Sequence, residues 1–330
     1  MIISFCFEGC SLHDNNSDTV VIQMTYPTSA NAPHDLEMQW VSKKVYEETN
    51  GAVEIQLFPN SGLASDKNAF DEVATGNLDS AGITLNAIAQ TIPELNTRCL
   101  PFAFDDIDHY WRVVSSTEYH DNMTQLLDDY DVVYLGNSGN ALRGIASKKP
   151  IHTPKDSNNM TIRIMDGTIY EDYYDSLGFN TSTISFGETY LAIQQGIVDG
   201  CDCDLNSMEF MGFEEVCPYY IETNQVVHGL CHVVKKELWE KISAENQQKI
   251  ITIFSEMENG ISYNIWEEYY SKTKENLLKN GIEIYELSSD EQKQWKESAL
   301  PIYSKYEKII GEEYYNWYMD LLDKYKNSAS

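Results

Sequence analysis

The stretch SFGETYLAIQQGIVDGCDC, residues 185–203, is the clearest indication of the fold. Ser185 is followed three residues later by Glu188, and this capping box predicts the start of a helix. The helix is expected to end near Gly196, because glycine favours the left-handed conformation that terminates helices. Residues 197–203 then predict a strand. A helix that leads directly into a strand is one unit of an alternating α/β fold.

The same alternation of strand and helix occurs on both sides of this stretch. Residues 20–26 (VVIQMTY) predict a buried strand, a helix begins at about His34 and ends at Asn50-Gly51, and residues 53–57 alternate as the next strand. Residues 160–165 (MTIRIM) predict another strand, again ahead of a helix. The most economical architecture is an α/β fold in which helices cover both faces of a parallel sheet.

A long helical segment is predicted further along the chain. Apolar side chains keep helical spacing from Ser243 almost to Asn280-Gly281. One helix of roughly 35 residues would be about 50 Å long, enough to cross more than one domain. A second capping box, Ser288 to Glu291, predicts the start of the C-terminal helices. Because the sequence has no tandem repeat and no linker rich in proline and serine, two lobes would share chain crossings.

The charge of the chain excludes several classes of partner. Lys and Arg total 23 against 52 Asp and Glu, a formal net charge of −29 at pH 7. Such a charge repels nucleic-acid backbones and anionic lipid surfaces. Hydrophobic residues make up 42 % of the chain and aromatic residues 12 %, too many for a disordered chain. The sequence has no apolar run of about 18 residues that would predict a membrane span.

Signatures of enzymes and metal sites are nearly absent from the sequence. It contains no GxSxG, no HExxH and no P-loop. Two clusters carry metal-ligating side chains, His228 with Cys231 and His232, and Cys201-Asp-Cys-Asp204. On a strand, alternation would place the members of each cluster on opposite faces, so neither predicts a compact metal site. We expect no cofactor and no catalysis.

The N-terminus resembles the end of a bacterial lipoprotein signal. An apolar run, MIISFCF (residues 1–7), precedes Glu8-Gly9-Cys10 and a polar tract up to Asp18. In such signals a lipid is attached to the cysteine thiol, and a flexible tether follows. Residues 1–18 are therefore expected to be a signal remnant and tether, with Cys10 as the lipidation site. The alternative is a cysteine without a role in a frayed tail.

Arginine is rare, and one of its positions is unusual. The chain has only Arg98, Arg112, Arg143 and Arg163. Arg163 lies in the middle of an otherwise uncharged strand pattern, Thr-Ile-Arg-Ile-Met. A guanidinium that points inward there needs an anion, because an unpaired buried charge costs several kcal/mol. Either one of the 52 acids of the chain or a bound ligand could supply that anion.

Phe186 to Gly200 resembles the signature F-x-E-x-Y-x-A-L-Q-x-G-x-V-D-G of the substrate-binding proteins of tripartite ATP-independent periplasmic (TRAP) transporters, the DctP-like family. Further motifs of that family follow in the right order along the chain: Phe58–Leu63, Leu100–Phe104, Leu142–Gly144 with Lys149–Ile151, and Ile162–Ile164. The resemblance runs from about Val20 to the C-terminal helices. Several linked motifs are far more specific than any one alone.

The resemblance implies a two-lobed periplasmic-binding-protein-like clamshell with a ligand cleft between the lobes and a long helix spanning both. Lobe I would comprise residues 19–140 plus about 229–268, and lobe II residues 141–228 plus about 269–330. The family delivers its ligand to a membrane permease with a small and a large subunit. The protein would therefore be extracytoplasmic, in the periplasm or on the outer face of the bacterial cell membrane.

The resemblance also implies the ligand-binding residues of the second lobe. The arginine in the strand after Lys-Pro-Ile is the family's clamp on a substrate carboxylate, and here it is Arg163. A planar guanidinium makes two charge-assisted hydrogen bonds to a carboxylate, so it orients the ligand as well as binding it. Arg143 falls at a position that often assists. Phe186 would form an apolar wall of the pocket, although it could equally be a core aromatic residue.

The resemblance implies further ligand contacts in the first lobe and after the Val-Asp-Gly motif. Asp66, Thr84 and Tyr26 lie where contacts from the first lobe are usual, and Tyr26 could equally belong to the core. After Val-Asp-Gly the family usually continues Gln-Glu-Asn, whose Asn helps to hold the bound acid. Here Cys203 occupies that position, and a thiol is a poor hydrogen-bond donor. Either the second contact is missing, or Asn206 supplies it.

The resulting hypothesis is an extracytoplasmic receptor for a small organic carboxylate, which is a sugar acid such as a uronate or another organic acid. Two alternatives remain. The same clamshell could be a sensor subunit that reports a ligand to a membrane receptor. The chain could also be an α/β enzyme with Cys203 or Cys201 as nucleophile and His228 or His232 as base.

Overall fold

A computed structural model describes residues 19–326, except for the side chains of Asn140 and His228. The predictions for residues 1–18, including the lipidation site Cys10, lie outside the described residues. The described residues form ten strands: β1 Val20–Thr25, β2 Val53–Phe58, β3 Ser80–Thr84, β4 Val132–Ser147, β5 Thr161–Ile164, β6 Asn180–Thr183, β7 Gly200–Asp204, β8 Tyr219–Glu222, β9 Val227–Lys235 and β10 Glu283–Glu286.

Thirteen α-helices cover these strands within residues 19–326: α1 Pro33–Glu48, α2 Asp66–Thr75, α3 Leu85–Ile88, α4 Ile107–Val114, α5 Thr117–Asp128, α6 Thr168–Ser176, α7 Thr189–Gln194, α8 Leu205–Phe210, α9 Lys236–Trp239, α10 Ala244–Glu256, α11 Ser262–Lys279, α12 Ser289–Ile310 and α13 Glu312–Lys326. Short 3₁₀ segments include Phe186–Glu188, directly before α7. The capping box that begins α12 is present, as Ser288 and Glu291 predicted.

The strands form two sheets that share β4. In the first sheet β1 pairs in parallel with β2 and with β3. Strand β9 pairs antiparallel with β3 on one side and with residues 132–142 of β4 on the other. In the second sheet residues 143–147 of β4 pair antiparallel with β7 and β8, while β5 lies parallel between β6 and β7. The sheets are therefore mixed, not purely parallel as predicted, because β4 and β9 run against their neighbours.

Helices cover both faces of each sheet. Helices α1 and α10 pack on one face of the first sheet, and α2, α4 and α5 pack on the other. On the second sheet α6 and α12 cover one face, and α7, α8 and α11 cover the other. All five residues of β3 are buried, because a strand covered on both faces has no exposed side.

The long helix predicted from Ser243 to Asn280 is not one continuous helix. It consists of α10 and α11, joined by a π-turn at Met257–Ile261. Gly260 interrupts the helical path there with φ 158°, a conformation that residues with a Cβ rarely adopt. Helix α10 packs on the first sheet, whereas α11 packs against α8 of the second.

The C-terminal helix α13 packs against the cores of both sheets. Tyr318, Leu321 and Leu322 are buried in the same core as Ile83 of β3, in the first sheet. Tyr314 and Tyr315 pack against the core of the second sheet. The expected division of the chain into lobes, with residues from about 269 to 330 in lobe II, stays a prediction.

Candidate functional site

A cavity of about 560 Å³ lies where strands of both sheets end. From the first sheet it is lined by residues that follow β1 and β2 and by Thr84, the last residue of β3. From the second sheet it is lined by residues at the ends of β5, β6 and β7. The C-terminal ends of parallel strands are the usual place for ligands in open α/β sheets, so this cavity is the candidate binding site.

Arg163 lies on β5, between two hydrogen-bonded neighbour strands, and its side chain is only 4 % exposed. Its Nε donates to the carbonyl oxygen of Ile184 at 2.8 Å, and its guanidinium lies 5.6 Å from the centre of the Phe186 ring. Nη1 is buried without a hydrogen-bond partner, and no carboxylate within residues 19–326 forms an ion pair with this arginine. Burial lowers the pKa of the Arg163 guanidinium to about 10.

Arg143 on β4 also lines the cavity, but its charge is neutralised by the protein. Its Nε forms an ion pair with the carboxylate of Asp202 on β7, and its Nη2 donates to the Asp202 carbonyl oxygen at 2.7 Å. Burial lowers the pKa of Arg143, but the charges of Asp202 and Asp204, together with smaller contributions of neighbouring groups, outweigh burial and raise the pKa. Asp202 also accepts hydrogen bonds from Tyr174 and Gln225.

Asn206 on α8 is the second polar group that faces the cavity without a partner. The residue is buried, and neither its Oδ1 nor its Nδ2 has a hydrogen-bond partner among the described residues. A buried amide normally makes such bonds, so the absence of a partner distinguishes this residue of the cavity lining. Asn206 was predicted as the substitute for the missing family asparagine, and its position is compatible with that role.

The opposite wall contains the predicted residues Asp66 and Thr84. Asp66 is the first residue of α2, and its carboxylate accepts from the backbone N–H of Thr84 at 3.0 Å and from the Thr84 hydroxyl at 2.5 Å. Burial raises the pKa of the Asp66 carboxyl. Thr84 thus fixes the orientation of an acceptor that faces the cavity.

Tyr26, predicted as a contact from the first lobe, does not line the cavity. Its ring is buried in the core beneath α1, and its hydroxyl donates to Asp35 at 2.5 Å. The residues that reach the cavity after β1 are Pro27, Thr28 and Ser29. Because successive residues of an extended segment face opposite sides, a contact predicted one position before Pro27 falls in the core.

Cys203, predicted at the position of the family asparagine, does not line the cavity either. Its thiol is fully buried beside Cys201 and Cys217 in the core of the second sheet, and burial raises its pKa well above the usual range. A protonated, inaccessible thiol is neither a ligand contact nor a nucleophile. The alternative of a cysteine-dependent enzyme is therefore wrong on geometry.

The prediction of a capping box at Ser185 needs a correction. The Ser185 hydroxyl does not accept from the backbone, and instead donates to the carboxylate of Glu188. The segment begins as the 3₁₀ turn that carries Phe186, and α7 follows. Phe186 lines the cavity and contacts both Arg163 and Phe213, and its role as an apolar wall for a ligand stays a prediction.

Two contacts join the walls of the cavity. Lys67 on α2 and Asp166, two residues after β5, form an ion pair at 2.9 Å, and both line the cavity. The side-chain amide of Asn86 on α3 donates to the backbone carbonyl of Asp166. These contacts hold the segment after β5 against the first sheet.

Besides Lys67 and Asp166, two residues that shape the site were not predicted from the sequence. Asp202 is the counter-ion of Arg143, and Trp266 on α11 lines the cavity. The indole of Trp266 donates at 2.9 Å to Glu37 on α1, whose pKa burial raises to about 7. The alternation of Cys201-Asp-Cys-Asp204 signalled that its two acids share a face. It did not indicate which face meets the arginines.

Other classes of site are not found in the described part of the chain. Within residues 19–326 no group of three or more His, Cys, Asp or Glu side chains is arranged to hold a metal ion. No helix there has the length and apolarity needed to cross a membrane.

Comparison with known proteins gives the family. The model of bacterial extracellular solute-binding proteins, family 7 (DctP), matches residues 24–309. The chain belongs to this family. Members of the DctP family are extracytoplasmic solute-binding receptors, not enzymes, which confirms the resemblance stated from the sequence and the expectation that the chain is not an enzyme.

Two named solute-binding proteins are similar to this chain along most of their length. A solute-binding protein of Chromohalobacter salexigens is 26 % identical over 275 residues, which cover 83 % of this chain and 81 % of that protein. The C4-dicarboxylate-binding periplasmic protein DctP of Vibrio cholerae is 25 % identical over 297 residues, covering 89 % and 88 %.

Solved structures confirm the two-lobed DctP fold. A TRAP periplasmic solute-binding protein of Chromohalobacter salexigens with bound D-glucuronate has a TM-score of 0.86 and 24 % identity, covering 92 % of this chain and 99 % of that one. One from Sulfurospirillum deleyianum with bound succinate has a TM-score of 0.82 and 26 % identity, covering 94 % and 99 %.

Proposed function

We propose that this DctP-family protein binds a small organic acid in the cavity between its two sheets, with the carboxylate held by Arg163. The observation that carries the proposal is the buried Arg163 guanidinium, whose Nη1 has no partner and which no protein carboxylate neutralises within residues 19–326. A ligand carboxylate would supply the missing counter-charge and accept two charge-assisted hydrogen bonds.

Two further features support a carboxylate ligand. The unpartnered amide of Asn206 lies on the same wall and can donate to a carboxylate oxygen or bond a neighbouring hydroxyl. The relatives whose structures were solved with D-glucuronate and with succinate carry acids in the same fold. Closure of the cavity would remove screening water and strengthen the interaction with Arg163.

A thermal-shift screen of the full chain tests the binding proposal. Each acid of a panel of sugar acids, dicarboxylates and oxo acids is compared with its uncharged amide. A ligand that binds only the folded protein stabilises it by about 4 kcal/mol at a thousandfold excess over Kd. We expect a shift of several degrees for one acid and none for its amide. Equal shifts for acid and amide would contradict a carboxylate clamp.

Arg163→Lys is the matched variant in the same screen. It keeps the positive charge but loses the planar fork that can make two parallel hydrogen bonds. The acid that stabilises the wild type should therefore give a clearly smaller shift with the variant. An undiminished shift would mean that any positive charge in the cavity is sufficient.

We propose that the bound acid is delivered to the small and large membrane subunits of a TRAP permease, and that Cys10 carries a lipid anchor. Cells that lack this protein should lose uptake of the radiolabelled acid, as should cells that lack either membrane subunit. Normal uptake without this protein would instead favour a sensing role. Mass spectrometry of the mature N-terminus would show or exclude a diacylglycerol on Cys10.

A further inference from the structure

One cation of the cavity lining has no carboxylate partner among residues 19–326. Three cations and three carboxylates line it: Lys67, Arg143, Arg163, Asp66, Asp166 and Asp204. Lys67 is paired with Asp166, and Arg143 with Asp202 behind the wall. Arg163 therefore remains as the lining cation that no carboxylate of residues 19–326 pairs with. A ligand with one carboxylate neutralises it, and a second carboxylate would find no remaining cation.

Asp66 places a buried carboxyl group on the wall opposite Arg163. Both of its oxygens already accept from Thr84, yet each keeps a lone pair that can accept another hydrogen bond. Burial raises the pKa of the Asp66 carboxyl; the charge of Asp166 adds to the rise and that of Arg163 opposes it. The three charges are thus close enough to act on one another and on any ligand between them.

A ligand whose carboxylate binds Arg163 therefore extends towards a wall that accepts hydrogen bonds and repels anions. A hydroxyl there would donate to Asp66. A second carboxylate would be repelled by the buried carboxylate of Asp66, which no cation of residues 19–326 pairs with, where water screens weakly. We propose that Asp66 determines specificity, selecting acids with a single carboxylate and several hydroxyls and excluding dicarboxylates. This inference rests on the proposed function of Arg163.

The remaining lining suits such a ligand. Hydroxyl and amide groups on the walls can bond several hydroxyls, and they belong to Thr28, Asn60, Ser61, Thr183, Asn206 and Ser207. Aromatic side chains of Phe186, Phe210 and Trp266 offer flat apolar surfaces to a carbon chain or ring. A cavity of about 560 Å³ accommodates a hydroxylated acid of six carbons.

Two matched pairs of acids isolate the second carboxylate. Gluconate and glucarate share six carbons and the same hydroxyls at C2 to C5, and 4-hydroxybutyrate and succinate share four carbons. Gluconate and 4-hydroxybutyrate carry a CH₂OH group where glucarate and succinate carry their second carboxylate. Affinities are measured by isothermal titration calorimetry with the full-length wild type. We expect the singly charged acid of a pair to bind at least about tenfold more tightly.

Asp66→Asn should reduce that preference by about tenfold or more, because it removes the repelling charge and keeps the size of the side chain. Asp71→Asn is the matched control: it changes the net charge equally and lies on the same helix, but its side chain is exposed and does not line the cavity. The control should leave the ratio unchanged. If Asp66→Asn does not fold, Asp66→Ser replaces it, and the ratio of affinities for the two acids of a pair is measured in the same way.

The outcomes separate this inference from the proposed function. A wild type that binds the dicarboxylate as tightly as its partner, or a ratio that neither Asp66 variant changes, overturns the role of Asp66. If binding in that case is still weakened by Arg163→Lys, the carboxylate clamp stands. If no acid of either pair and no acid of the wider panel binds, both are overturned.

Discussion

The surroundings of Arg143 and Arg163 show how the protein uses the same side chain in two ways. The two arginines lie on β4 and β5, the strands on either side of β7, and they are 2 % and 4 % exposed. Asp202 neutralises Arg143, and its charge raises the pKa of that arginine. Arg163 donates a hydrogen bond to the neutral carbonyl of Ile184, and burial lowers the pKa of its guanidinium. The difference teaches that the counter-ion, and not burial, separates an arginine that stabilises the fold from one that is kept for a ligand.

Removal of Arg143 should have the largest effect on stability. Arg143→Ala leaves the Asp202 carboxylate buried without a counter-ion, and breaking such a pair costs about 3–5 kcal/mol. Urea denaturation at pH 7 should show that loss in the free energy of unfolding. A loss below about 1 kcal/mol would contradict the structural role of Arg143, since its ion pair with Asp202 would then contribute almost nothing to the stability of the fold.

Removal of Arg163 should not lower the free energy of unfolding of the ligand-free protein, in contrast to removal of Arg143. Arg163→Met replaces an unpaired buried charge with an apolar side chain of similar length, so the free energy of unfolding should stay the same or rise by up to about 2 kcal/mol. The same urea titration measures it. A loss as large as that of Arg143→Ala would show that Arg163 is structural.

Asn206 extends the comparison to an uncharged group that, like Arg163, is buried with polar atoms that have no partner among the described residues. Asn206→Leu removes two unpartnered polar atoms, so stability without ligand should be equal to wild type or higher by about 1 kcal/mol. Affinity for the bound acid should fall by about tenfold, since one hydrogen bond to a charged group is lost. Calorimetry on the same preparation measures both. Weaker folding with unchanged affinity would assign Asn206 to the core.

Lys67 should show the smallest effect. Its ion pair with Asp166 is exposed on the lysine side, and such pairs contribute about 0–1 kcal/mol. Lys67→Ala should weaken the ligand by no more than about fivefold, and the difference from wild type should shrink at high salt. A large effect that is independent of salt would instead place Lys67 in direct contact with the acid.

Much of this arrangement could be predicted from the sequence, for local reasons. The α/β alternation and the capping box at Ser288 depend on neighbouring residues, and both are found. Arg163 stood out because a charge in an apolar strand pattern is costly wherever the strand lies. Asn206 was identified from its proximity to the family motif.

Features that depend on distant contacts could not be predicted. Asp202 becomes the partner of Arg143 only because β4 and β7 pair, 59 residues apart in sequence. Alternation showed that Asp202 and Cys203 face opposite sides, but the face that meets the cavity is set by the packing of two sheets. The kink at Gly260 was missed because apolar spacing continues through it.

The most direct test is the calorimetric affinity of Arg163→Met for the acid that stabilises the wild type, with Arg112→Met as the control. Arg112 bonds backbone carbonyls of α13 and lies outside the cavity lining, so its substitution removes the same charge elsewhere. We predict at least a hundredfold loss for Arg163→Met, with its fold intact, and no more than about a threefold change for Arg112→Met. Affinity within about threefold of wild type in Arg163→Met would contradict the assignment of this guanidinium to the ligand.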